Sequence, residues 1–209
     1  TEIYTLSLHD ALPISLHTFQ SGGTDIFFVS AMNNDAGKQM RLGITGGIGS
    51  GKTSVCRVFG VLGIPVFSAD PEAQVIMNSE KSIINGINDI AGKDIYHGGI
   101  LNKEELARLI FNDHEKLVKV NSLVHPVVFD RFVKWAEIQT TPYVIMEAAI
   151  LFESGASAFV DRVATVIAPV EERISRVIKR NRLTREQVID RIRNQMDDEE
   201  RIRLSDYVI

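Results

Sequence analysis

Gly46-Gly47-Ile48-Gly49-Ser50-Gly51-Lys52-Thr53 matches the phosphate-binding pattern G-x-x-x-x-G-K-[ST] at every fixed position. The preceding run, Arg41-Leu42-Gly43-Ile44-Thr45, reads as a short apolar strand. After it, from residue 54 to 62, Val55, Val58, Phe59 and Leu62 fall at helical spacing. Strand, glycine loop and helix form the context this motif requires. Glycines let the backbone turn tightly and gather its N–H groups around phosphate oxygens. The helix beginning near Lys52 directs its positive dipole end at the same place. Lys52 can reach β- and γ-phosphates, and the Thr53 hydroxyl can ligate Mg²⁺.

The totals bound the rest. A chain of 209 residues, 44% hydrophobic and 24% charged, suits one ordinary domain, or one domain with a small insertion. Its net charge of −4 gives no general reason to expect a nucleic-acid partner. A single cysteine, Cys56, excludes an internal disulfide framework and a cysteine-based zinc site. It reads as a small buried apolar residue on the helix after the loop. No stretch is long and apolar enough to span a bilayer as a helix. A reducing cytoplasm is the default location, and the oligomeric state is left open.

Residues 1–38 read differently from the rest. Thr1 to Ser15 lack sustained periodicity, and Tyr4-Thr5-Leu6-Ser7-Leu8-His9-Asp10-Ala11-Leu12-Pro13-Ile14-Ser15 resembles translated sequencing-adapter sequence. They are expected to be a non-native or disordered leader. Within them Ser21-Gly22-Gly23-Thr24-Asp25 reads as a loop and 26–29 as a stray strand. Met32 and Met40 both serve as plausible starts, the first leaving 33–38 as a frayed terminus.

Beyond the loop helix, Gly63 suits a helix end and Ile64-Pro65-Val66-Phe67 a second strand. Asp70 then lies at the carboxyl end of that strand, the edge where open α/β sheets bind ligands. It reads equally as the N-cap of a helix with Pro71 in its first turn and as a general base. From 72 to 138 the pattern is mainly helical, with a turn or small hairpin at Tyr96-His97-Gly98-Gly99-Ile100. Asn102 and Asp113 are expected caps, and His125-Pro126 an expected helix break. His125 alone reads as a structural histidine. Glu147 ends a third strand at 143–146, where an acid can reach Mg²⁺ through water or serve as an ordinary loop carboxylate. A fourth strand at 160–168 and a last one at 206–209 complete the series. Strands alternating with helices predict an α/β fold, a parallel five-stranded sheet flanked by helices. Between the last two strands Arg173, Arg176, Lys179, Arg180, Arg182 and Arg185 crowd together. They read as a solvated face from which some side chains contact phosphate. Thr184 with Gln187 forms a capping box.

From about residue 41 to 209 these motifs together resemble dephospho-CoA kinase, in the nucleoside-monophosphate-kinase-like group of P-loop kinases. Gly43-Ile44-Thr45-Gly46-Gly47-Ile48-Gly49-Ser50-Gly51-Lys52 is similar to the family's opening stretch. Ser68-Ala69-Asp70 falls at its D-A-D-like triplet, and Leu123-Val124-His125-Pro126 at its L-x-H-P element. Glu147-Ala148-Ala149-Ile150-Leu151-Phe152-Glu153 resembles its D-x-P-L-L-F-E strand end, and Arg176, Arg180 and Gln195 its lid pattern. Ser68 stands for the usual aspartate and Ala149 for the usual proline. A further turn and helix are expected beyond Ile209, so the domain, 39–209, is expected to be truncated there.

The resemblance implies transfer of the ATP γ-phosphoryl to the ribose 3′-hydroxyl of dephospho-CoA, with Mg²⁺. It implies a helical acceptor-binding insertion at about 72–139 and a helical lid at about 173–196. Gly47, Gly49, Ser50, Gly51, Lys52, Thr53, Ser54 and Arg176 would hold the nucleotide, and Thr53 the metal. Lys52, Asp70 and Arg180 would be catalytic, with Asp70 and His125 on the acceptor. Rival readings are another small-molecule P-loop kinase and a GTP-dependent switch protein. The switch would need a guanine-reading N-K-x-D, and Asn102-Lys103-Glu104-Glu105 fails at its aspartate.

Overall fold

The computed structural model describes residues 14–21, 24–31, 39–111, 113–181 and 183–209. The expected start at Met32, the frayed 33–38 segment, the adapter-like run up to Pro13, Gly22-Gly23 and Arg182 lie outside the described residues. β1 (Ile14–Ser21) and β2 (Thr24–Ala31) pair antiparallel as a separate two-stranded sheet. The stray strand expected at 26–29 is therefore the middle of β2, and Thr24 and Asp25 belong to that strand rather than to a loop.

The main sheet is built from β3 (Met40–Thr45), β4 (Val66–Ser68), β7 (Tyr143–Glu147), β8 (Arg162–Thr165) and β9 (Tyr207–Val208). Their order is β4-β7-β3-β8-β9, and every pairing is parallel. β3 and β7 lie inside the sheet and read as near-continuous apolar runs, as strands buried on both faces must. The expected strand at 160–168 is shorter, because the approach to it is a 3₁₀ turn at Ala156–Phe159.

α1 (Lys52–Val61) follows the glycine loop and covers one face. Its inward side is Cys56 and Phe59, against Leu42, Ile44, Tyr143 and Ile145. Val58 and Leu62, expected on that side, are exposed. The other face carries the larger core, under α2 (Ala69–Ser79), α3 (Lys81–Ala91), α4 (Lys103–Phe111) and α5 (His114–Glu137). Between α3 and α4, β5 (Tyr96–His97) and β6 (Ile100–Leu101) make the expected hairpin, with Gly98 and Gly99 both at positive φ. Asn102 accepts from the Glu105 N–H at 3.1 Å and Asp113 from the Lys116 N–H at 3.0 Å, so both expected caps form.

His125-Pro126 does not break the chain. α5 runs through it for 24 residues. Val120, Val124, Val128, Phe132 and Ala136 form one buried i, i+4 ridge along its length. Pro126 lies on the opposite, exposed side, where water can satisfy the carbonyl that proline leaves unpaired. Burial of the ridge outweighs one lost hydrogen bond. Arg131 of α5 forks onto Glu72 and Glu80, tying down the helix that begins beside β4.

After β8 come α6 (Val170–Asn181), α7 (Arg185–Arg193) and α8 (Asp198–Leu204). Ile174, Val177 and Val188 form a third small core between α6 and α7. The Thr184–Gln187 capping box starts α7 as expected. Among the described residues no helix is long and apolar enough to cross a membrane.

Candidate active site

The carboxyl ends of four adjacent parallel strands converge on one edge. β3 delivers the glycine loop, β4 delivers Ser68 and Asp70, β7 delivers Glu147, and β8 leads to α6. The loop needs its glycines. Gly46, Gly49 and Gly51 sit at positive φ, and a Cβ on Gly47 would collide with the Arg173 guanidinium. The Gly47 carbonyl accepts from the Ser50 N–H at 3.1 Å, closing a turn inside the loop. The Ser50 hydroxyl is buried there and bonds to no protein group.

Lys52 and Thr53 turn their polar ends into this edge. The Lys52 ammonium donates to the Gly46 carbonyl at 2.9 Å. Burial lowers its pKa below the usual lysine value, against the opposing pull of Asp70 and Glu147. The Thr53 hydroxyl donates to Glu147 Oε1 at 2.7 Å, and the Ser68 hydroxyl to Glu147 Oε2 at 3.1 Å. Glu147 thus joins the loop to β4. Ser54 is exposed at the start of α1.

Asp70 is not a helix cap, as one reading had it. α2 starts one residue earlier, with Ser68 at the N-cap position, and Asp70 sits in its first turn. The residue opens to solvent, yet protein crowds the carboxyl from the other sides. That desolvation raises its pKa. Lys52 opposes the rise, Glu147 adds to it, and the Ala149 N–H opposes it again. A proline at 149 would have no such N–H.

The arginine-rich segment separates into different positions. Arg173 is only 2% exposed, and its Nε donates to the Ile48 carbonyl at 3.0 Å while Nη1 reaches Asp198 at 2.5 Å. Arg176 Nη1 reaches the Gly49 and Ser50 carbonyls at 3.4 and 3.3 Å, and Nη2 pairs with Glu172. Arg180, expected to act at the phosphates, is exposed at the far end of α6 with Nε on Asn181 at 2.9 Å. Arg185 is engaged with Glu171. His125 is half-buried on α5, its ring 5.9 Å from that of Phe129, and burial lowers its pKa. The structure therefore brings together the loop, Lys52, Thr53, Asp70 and Arg176, adds Glu147 and Ser68, and leaves Arg180 outside the group.

Glu147 is the position at this edge whose weight the sequence left undecided. The signal lay in three dimensions, since Thr53 reaches it from α1 and Ser68 from β4. The comparisons fit the geometry. A family model described as dephospho-CoA kinase matches residues 40–209. The chain belongs to the dephospho-CoA kinase family. It is 38% identical over 171 residues to a dephospho-CoA kinase of Bacteroides fragilis, covering 81% of this chain and 83% of that one. To the dephospho-CoA kinase of Chlorobium chlorochromatii it is 37% identical over 176 residues, covering 80% and 83%. A crystal structure from Thermus thermophilus superposes with TM-score 0.73 at 34% identity, covering 81% of this chain and 87% of that one. The dephospho-CoA kinase from Campylobacter jejuni shares the fold, at TM-score 0.60 and 22% identity over 81% and 86% of the two chains. Membership of this kinase family implies ATP as a substrate.

Proposed function

We propose that this chain transfers the γ-phosphoryl of ATP to the ribose 3′-hydroxyl of dephospho-CoA, giving CoA and ADP. One observation carries the reading. An acid from the β4–α2 junction, Asp70, stands at the same carboxyl edge of the sheet as the loop lysine, Lys52, and each opposes the pKa shift that burial gives the other. A hydroxyl acceptor needs an acid there to take its proton. A phosphate acceptor would instead call for free arginines on α2 to α5. That region offers Arg108 and Arg131, and Arg131 is committed to Glu72 and Glu80.

The roles follow from placement. Gly47, Gly49, Ser50, Gly51, Lys52, Thr53 and Ser54 cradle the nucleotide phosphates, with Lys52 leaving the Gly46 carbonyl for phosphate oxygens. Asp70 accepts the proton of the 3′-hydroxyl as its oxygen bonds to the γ-phosphorus and the bond to the β-phosphate oxygen breaks. Thr53 Oγ1 and the Glu147 carboxylate are hard oxygen donors of the kind Mg²⁺ takes, and fit it. When bound, that ion neutralises charge on the transferring group. Arg176 steadies the loop from α6. Arg180 approaches only when α6 and α7 close as a lid, which also excludes water. His125 lines the acceptor side as a neutral ring.

The catalytic unit is residues 39–209, with α2 to α5 as the acceptor region, and residues 1–38 as a leader outside it. A reducing cytoplasm suits the single, buried thiol of Cys56, which burial holds at a pKa of about 12. ADP release measured side by side with dephospho-CoA, with nucleoside monophosphates and with no acceptor tests the reading. Turnover with dephospho-CoA alone is expected. Turnover only with a nucleoside monophosphate would sink it.

A further inference from the structure

Two side chains, one from α6 and one from the turn between α7 and α8, hold the same residue at the tip of the glycine loop. The Ile48 N–H donates to Gln195 Oε1 at 2.8 Å, and Arg173 Nε donates to the Ile48 carbonyl at 3.0 Å. The Ile48 side chain packs into the small core between α6 and α7. Ile48 is therefore fixed by its donor, its acceptor and its side chain at once, all from outside the loop motif.

The geometry has a consequence for its neighbours. In a trans peptide, a carbonyl and the next N–H point in opposite directions. With the Ile48 carbonyl held on Arg173, the Gly49 N–H turns away from α6, toward the open side of the loop. With the Ile48 N–H held on Gln195, the Gly47 carbonyl turns the other way, where the Ser50 N–H meets it at 3.1 Å. Glycines flank Ile48 on both sides, so the backbone itself does little to prevent either peptide from flipping.

Arg173 is itself held. Its guanidinium shares Asp198 with Arg201, at 2.5 and 2.6 Å, and Arg201 is wholly buried with Nη2 on the Met196 carbonyl at 2.7 Å. Gln195 adjoins Met196, so both clamps rest on the same α7–α8 junction.

We propose that Gln195 is a positioning residue which, with Arg173, sets the two peptide planes around Ile48 and thereby aims the Gly49 N–H at nucleotide phosphate. This rests on the loop being the phosphate site.

Gln195→Met keeps the length of the side chain and removes the acceptor. Titration of the full chain with ATP, ADP and adenosine should show ATP and ADP weakened about tenfold, the scale of one well-aimed hydrogen bond. Adenosine, which has no phosphate, should bind as before. A side chain that merely supported the fold would weaken all three together. Amide hydrogen exchange on the nucleotide-free, unmutated chain gives a second reading that needs no variant, and the Ile48 N–H should be protected. Unchanged ATP affinity in Gln195→Met, equal loss of all three ligands, or an Ile48 amide that exchanges as freely as an open loop would each overturn the proposal. An unmutated chain that binds ATP no better than adenosine would overturn the phosphate site along with it.

Discussion

Glu147→Gln tests the electrostatics of the site in two directions at once. The carboxylate accepts the Thr53 hydroxyl at 2.7 Å and the Ser68 hydroxyl at 3.1 Å. Glutamine keeps the shape and one acceptor oxygen, and either hydroxyl can rotate to accept from the new amide. Folding stability should therefore change by less than ~1 kcal/mol. The charge is what disappears. Unit charges about 4 Å apart at an effective dielectric of 20 interact by ~4 kcal/mol. The site opens to solvent, which we take to halve that, leaving ~2 kcal/mol, or about thirtyfold in the Mg²⁺ concentration needed for half-maximal turnover. The second direction concerns Asp70. Its pKa is raised by burial and further by Glu147. Removing the Glu147 charge lowers it, so the acid limb of kcat/KM should move to lower pH, with Asp70 ionised over a wider range. Mg²⁺ titrations at fixed ATP and a pH–rate profile read the two effects separately, and thermal unfolding checks the fold. A folded variant with an unchanged Mg²⁺ requirement, or an acid limb that stays or moves up, would refute the reasoning.

Other substitutions have narrower expectations. Asp70→Asn should lower kcat by about 10² to 10⁴ while ATP affinity, measured by titration, stays near normal. Arg180→Ala should lower kcat on the order of 10³ with little loss of ATP binding, and an unchanged rate would remove it from the lid role. Pro126→Ala restores a helical N–H on the exposed side of α5 and should raise stability by about 1 kcal/mol in urea denaturation, with kinetics intact.

The sequence carried the fold wherever one local rule acted alone. The glycine loop announces its strand and helix, and Asn102, Asp113 and Thr184 mark helix starts that form. It misled where a local signal met a tertiary one. Pro126 reads as a break, and a five-residue buried ridge overrides it. Asp70 suits a cap, yet Ser68 takes that position because α2 begins at Ala69, directly after β4. The arginine cluster reads as one feature, but helical geometry sends Arg173 inward to Asp198 and Arg180 outward to Asn181. Glu147 and Gln195 were hardest to weigh, since their partners lie 94 and 147 residues away in the chain.

The charges at this edge set how it can receive a nucleotide. Lys52 lies between two acids, Asp70 and Glu147, whose charges both favour its ammonium. Each acid serves a different partner, since Glu147 is held by two hydroxyls while Asp70 faces the open cleft. A bare polyphosphate would meet like charge here, and Lys52 alone would have to offset it. On the proposed reading, a nucleotide arriving with Mg²⁺ would bring that charge beside Glu147 and free Lys52 for the phosphates. The same cation would offset the Glu147 charge that adds to the rise in the Asp70 pKa, while Lys52 turning to phosphate would remove a charge that lowers it, so the two changes act on Asp70 in opposite directions. On the proposed roles, a cation beside Glu147 thereby helps to keep Asp70 ionised and able to take a proton while Lys52 serves the phosphates.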